Sequence, residues 1–233
     1  MSLFAAITAT TFFLVSLSLN KCLPKSDPTF PFYHAARCSD REYSPLATLF
    51  FNTEGGTIRS LLSKAVTVNI YETTSFLLSW YFLFITTYGV QVPSGVFLPG
   101  IIIGLAVGQL YGNIWVKIFP TQAESQSYLL VGSAAMLTSY TRMTYSLAVI
   151  MLETTQSINL FIPIIFSLVV ARSVSKLLSK RSLYEVALVY KNVPFLGDRY
   201  PSSFQFIRAE EIMSKPVHSL KVVSSLEEMN RAY

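Results

Sequence analysis

From Thr73 to Val116 the chain carries no charged side chain. The hydrocarbon core of a bilayer, about 30 Å thick, takes roughly 20 apolar residues of helix, so this run holds one full crossing and most of a second. Pro93-Ser94-Gly95 interrupts it, and Gly95-Val96-Phe97-Leu98-Pro99 leads into a fresh helical stretch over Ile101 to Ile118. Such a break predicts a helix N-terminus at membrane depth, with unpaired N–H groups and the positive end of the helix dipole. That is an anion site made from backbone.

The remaining pattern predicts further helices on either side. Residues 1–19 read as one helix apolar enough to span or nearly span, and Asn20 to Ser44 as a loop punctuated by Pro24, Pro28 and Pro31. Leu46 to Ser63 starts apolar, is expected to break at Gly55-Gly56, and resumes as a short amphipathic piece that lies buried or interfacial. Val66 to Tyr88 predicts a span dense in aromatics. Gly100, Gly104, Gly108 and Gly112 recur every four residues, which places them on one helix face where a neighbouring backbone can approach closely. Tyr128 to Tyr140 and Met143 to Thr155 are each too short to span, with Arg142 between them, the pattern of two half-length helices meeting within a membrane. Ile158 to Val174 is a further apolar helix with Pro163 in its first turns, and Leu183 to Val189 a short one. Beyond Lys191 charges of both signs appear, and Ile207 to Val222 predicts a short amphipathic helix followed by a strand.

Composition agrees: 52% of residues are hydrophobic, 13% are charged and mean hydropathy is +0.46. The formal charge of +5 does not form a basic stripe interleaved with aromatics, which argues against nucleic acid. It is topological instead. Arg172, Lys176, Lys180 and Arg181 crowd the end of the last long apolar stretch, so the C-terminal tail is expected in the cytosol. Lys21, Lys25, Arg37 and Arg41 argue the same for the loop holding Cys22 and Cys38; free thiols are expected there, and a disulfide if the compartment is oxidising. Residues 1–19 lack the basic start and cleavage motif of a secretory signal and read as a transmembrane helix cut short. His34 and His218 stand alone without the clustered ligands zinc requires. No nucleophile, base and orienter grouping accompanies Ser133 or Ser146, so no enzymatic activity and no cofactor are expected. Arg142 and Glu153, costly in apolar surroundings, are expected to play structural roles near helix ends.

Several ordered pieces carry a resemblance. Glu42-Tyr43-Ser44 is followed by Phe50-Phe51-Asn52-Thr53, then Ser94-Gly95-Val96-Phe97-Leu98-Pro99. Arg142-Met143-Thr144, Val149-Ile150-Met151-Leu152-Glu153 and Val193-Pro194-Phe195-Leu196 come next, and Glu211-Ile212-Met213-Ser214-Lys215-Pro216-Val217 closes the series. In this order they resemble the CLC chloride channels and chloride/proton exchangers, most closely the endosomal and lysosomal branch with a vacuolar flavour. The resemblance implies an all-α polytopic membrane protein with discontinuous helices. Residues 1–190 would form the second inverted repeat and last membrane helix, 191–206 a linker and 207–233 the opening of a truncated cytosolic CBS domain. It implies chloride as the transported ion, held by the N–H groups of Val96 and Phe97, with Gly95 permitting close approach and the Tyr184 hydroxyl completing the site. On spacing alone Tyr184 would be an interfacial anchor beside basic residues. The resemblance also implies a homodimer through about residues 141–174, surrounded by lipid, in an endosomal, lysosomal or vacuolar membrane. The family's Gly-Ser-Gly-Ile-Pro and gating-glutamate segments are not found, so the chain is expected to be the C-terminal half of such a transporter. The alternative is a truncated, non-transporting partner of a full-length relative.

Overall fold

The computed structural model describes residues 2–19, 21–88, 90, 95–119, 125–155, 158–193 and 207–213. Helix α1 (Ser2–Ser18) leads into a loop clasped by two short antiparallel strands, β1 (Leu23–Pro24) and β2 (Glu42–Tyr43), which pair Leu23 with Tyr43. Helices α2 (Pro45–Phe50), α3 (Glu54–Leu62), α4 (Ile70–Thr87), α5 (Phe97–Ile118), α6 (Ser125–Thr141) and α7 (Tyr145–Thr155) follow. A 3₁₀ turn (Ile158–Leu160) opens into α8 (Phe161–Leu178), then α9 (Leu183–Tyr190) and α10 (Ala209–Ile212).

The loop corrects the free-thiol expectation: Cys22 and Cys38 form a disulfide. The strand pairing and the bond from the Lys25 N–H to the Arg41 carbonyl (3.1 Å) draw the two ends of the loop together, leaving the cysteine Cα atoms 5.7 Å apart. His34 is structural. Its N–H donates to Thr48 Oγ1 (3.1 Å) and its ring nitrogen meets Asn52 Oδ1 (3.2 Å), tying the loop to α2.

Local caps moved two predicted boundaries. The break after α2 falls at Phe51–Thr53 rather than at Gly55-Gly56, because Thr53 caps α3 by accepting from the Gly56 N–H, which draws both glycines into the helix. The span expected from Val66 begins at Ile70, where Asn69 and Glu72 form a capping box; the Asn69 N–H donates to Glu72 Oε2 at 2.9 Å. Glu72 is buried, and its other carboxylate oxygen has no partner among the described residues.

All of α2 is buried, and with Tyr43, Leu61, Phe76, Ile102 and Leu105 it forms one core. An aromatic seam runs through it from α1 to α4: Phe12 on Phe50, Phe50 on Phe76 and Phe76 on Trp80, with centroids 5.0 to 5.5 Å apart. A second core joins Ala134, Leu137, Leu147, Met151, Ile164 and Leu168 of α6, α7 and α8, and Phe97 packs against it.

The glycine face of α5 meets α6 backbone to backbone. A Cβ at Gly104 would lie 2.5 Å from Ser133 Cα, and one at Gly132 would lie 2.6 Å from the Gly104 carbonyl oxygen. Gly108 is equally closed by Tyr128 and Leu129, whereas Gly112 has ordinary room beside the Tyr128 ring.

Two described stretches are long and apolar enough to cross a membrane, Phe97–Ile118 and Ile158–Tyr190. Helix α4 is not one of them, since hydroxyl side chains and Glu72 dilute its 18 residues. The chain divides into two compact units, Met1–Val186 and Ala187–Tyr233. Within the second, the end of α9, a turn with Asn192 in the left-handed region (φ 52°) and α10 are described. The linker at 194–206 and the expected strand and CBS opening beyond residue 213, including His218, lie outside the described residues.

Candidate anion-binding site

Helix α5 starts earlier than its apolar run suggested. Val96 (φ −98°, ψ −6°) is its N-cap and Phe97 its first residue, so Pro99 falls in the first turn, where a missing N–H costs nothing. The N–H groups at this end have no intrahelical acceptor, and the helix dipole adds partial positive charge there. Gly95 is exposed, and among the described residues nothing lies within 4 Å of where a Cβ would sit.

Gly95, Val96 and Phe97 line one cavity of about 610 Å³, walled by Thr8 and Phe12 of α1, Trp80, Phe84 and Thr87 of α4, and Tyr88. Glu54, at the start of α3, is the one charged side chain among its described lining residues. Tyr184, the fourth predicted residue, is not part of that lining. It sits in the first turn of α9, 41% exposed.

Tyr140 is the residue that sequence reasoning missed. From the end of α6 its hydroxyl donates to the Val96 carbonyl at 2.8 Å, and its ring packs against Phe84 with centroids 6.4 Å apart. Gly100 makes this possible, because any Cβ there would overlap the Tyr140 hydroxyl. The only trace of the arrangement in the sequence is that Gly100 begins the glycine series; nothing in the pattern says which side chain fills the space.

The α6–α7 break is fixed by arginines. Arg142 takes up the left-handed region (φ 62°), and its guanidinium donates to the carbonyls of Ser179 (2.5 Å) and Lys180 (2.7 Å) beyond α8. Arg172 of α8 donates to the Arg142 carbonyl and to Thr144 Oγ1, both at 3.1 Å, and the Ser175 hydroxyl donates to the Ser139 carbonyl. Because the break ends the helix at Thr141, Arg142 and Glu153 do not share one helical face; Glu153 is exposed on α7. Ser182 and Glu185 cap α9 reciprocally, at 3.1 and 3.3 Å. The latch therefore ties the α6–α7 break to the turn that leads into the helix bearing Tyr184.

Broken helices, a largely uncharged interior and a helix N-terminus lining a cavity fit an all-α membrane protein. Comparison with known proteins makes this specific: the model of the voltage gated chloride channel family matches residues 1–176, and the chain belongs to that family. It is 34% identical over 223 residues to H(+)/Cl(-) exchange transporter 7 of Bos taurus, covering 94% of this chain and 27% of that protein. The Homo sapiens protein of the same name is also 34% identical, over 229 residues, with 94% and 28% covered. Chloride channel protein CLC-d of Arabidopsis thaliana is 38% identical over 187 residues, with 78% and 23% covered. The chain thus spans about a quarter of the length of these relatives.

Proposed function

We propose that this chain supplies the second inverted repeat of a chloride-transporting membrane domain, with chloride held by the N–H groups of Val96 and Phe97 and the Tyr184 hydroxyl nearby. The observation that carries the reading is the α5 N-terminus lining a cavity, within the residues that the family model matches. Neutral donors suit such a site, because a full positive charge would hold chloride too tightly to release it. The names of the relatives, a proton/chloride exchanger and a chloride channel, support chloride as the ion without separating the two modes.

The Cys22–Cys38 disulfide supports an oxidising, lumenal side for the loop after α1, while the basic cluster from Arg172 to Arg181 supports a cytosolic tail. Similarity to transporter 7 supports an endosomal or lysosomal membrane. The exposed apolar side chains of α7 and α8, among them Tyr145, Val149, Ile162 and Phe166, support pairing of two copies through residues 141–174. The CBS assignment of the tail rests on the Glu211–Val217 motif alone.

The test is chloride titration of the ¹⁵N-labelled chain in nanodiscs, with flux measured after joining it to an upstream repeat. The Val96 and Phe97 amides respond to chloride, and Tyr184→Phe and Phe97→Pro alter flux. Silent amides together with unchanged flux in both variants would reject the site.

A further inference from the structure

We propose that Tyr140 is a positioning residue that orients and polarises the Phe97 amide through its hydrogen bond to the Val96 carbonyl. This rests on the anion site proposed above. The Val96 carbonyl and the Phe97 N–H belong to one planar peptide unit and point in opposite directions across it. A donor fixed on the carbonyl therefore fixes the direction of the N–H. It also draws electron density toward the oxygen and makes the N–H a stronger donor, the cooperative effect that strengthens chained hydrogen bonds by about 10–30% each.

The geometry suits this role. Tyr140 reaches Val96 at 2.8 Å, whereas the helix's own bond to that carbonyl, from the Gly100 N–H, is long at 3.3 Å. The hydroxyl is thus the closer of the two donors. Its position is held from three sides: Gly100 leaves the space it occupies, Phe84 packs on its ring, and the α5–α6 glycine seam sets the distance between the two helices. The α5 N-terminus is therefore an amide held in place and polarised by a side chain from the neighbouring helix.

The experiment compares the full 233-residue chain with its Tyr140→Phe variant in nanodiscs. Without halide, the variant moves the Phe97 amide proton upfield while the Gly104 and Gly132 amides stay in place, a signature that loss of packing would not give. With chloride or bromide, the variant binds about 1.3- to 4.5-fold more weakly, the effect of a 10–30% loss on a charge-assisted bond. A fluorinated tyrosine at 140, a stronger donor, tightens binding and covers the case in which the phenylalanine variant does not fold. A wild-type chain that titrates, with Tyr140→Phe or the fluorinated chain matching it in both shift and affinity, overturns this inference alone. A wild-type chain insensitive to halide overturns the anion site and this inference with it.

Discussion

Replacing Gly104 by alanine tests whether the α5–α6 seam sets the geometry of the candidate site. The new Cβ would lie 2.5 Å from Ser133 Cα and 2.8 Å from the Gly132 carbonyl oxygen, both backbone atoms that no rotamer change can move. Restoring ordinary contact at about 3.5 Å requires the helices to part by about 1 Å. The Tyr140–Val96 bond bridges the same two helices, so a parting of that size stretches it from 2.8 Å to about 3.8 Å, beyond hydrogen-bonding range. Overpacking costs about 1–3 kcal/mol and the lost bond about 0.5–1.5 kcal/mol. The gain of about 1 kcal/mol in helix propensity offsets part of this, but Gly112→Ala gains the same, and a Cβ there lies 3.4 Å from the Tyr128 ring in ordinary contact. The difference between the two variants is therefore about 1.5–4.5 kcal/mol, with Gly104→Ala the less stable. Reversible unfolding in mixed micelles, followed by the fluorescence of Trp80 and Trp115, reads it. Equal stability of the two variants, within about 0.5 kcal/mol, would refute the idea that backbone contact sets the spacing.

Two further outcomes are expected. Reduction of the Cys22–Cys38 bond, or a Cys22→Ser/Cys38→Ser pair, destabilises the chain by about 3 kcal/mol, the chain-entropy value for a loop of this size; in native membranes maleimide labels neither cysteine until reductant is added, and prompt labelling would contradict the bond. At Arg142, alanine loses both carbonyl contacts and is strained in the left-handed region, whereas glycine loses only the contacts; unfolding midpoints should place Arg142→Gly about 1 kcal/mol above Arg142→Ala, and the reverse order would refute the strain.

The order of the helices from α1 to α9 and the breaks between α4 and α5 and between α6 and α7 were legible because they depend on local pattern: an uncharged run, a small-residue interruption ending at Gly95, an arginine between two short apolar segments. The glycine face on α5 was legible for the same reason, since a spacing of four is a statement about one helix. Caps shifted what the apolar pattern alone could not place. Asn69 and Glu72 delay α4, and Thr53 draws Gly55-Gly56 into α3. The side-chain partnerships were not legible. Tyr140 meets Val96 across 44 residues and Arg142 meets Lys180 across 38, and neither separation has a periodic signature. The disulfide was misread because the basic residues around it were weighed as a topology signal, while the pairing of β1 with β2 that brings the cysteines together cannot be seen in a loop read residue by residue.

The disulfide is also a local bond in the order of synthesis. Its two cysteines are only 16 positions apart and are synthesised before α2 through α9, so the bond can close as soon as their loop reaches an oxidising compartment. The Tyr33 hydroxyl of that loop donates to the Ala65 carbonyl and the Asn52 amide donates back to the loop's Phe32 carbonyl, so the fastened loop forms one wall of the core around α2. A ribosome paused after α4 would already have released every residue that this clasp and its two anchoring bonds require.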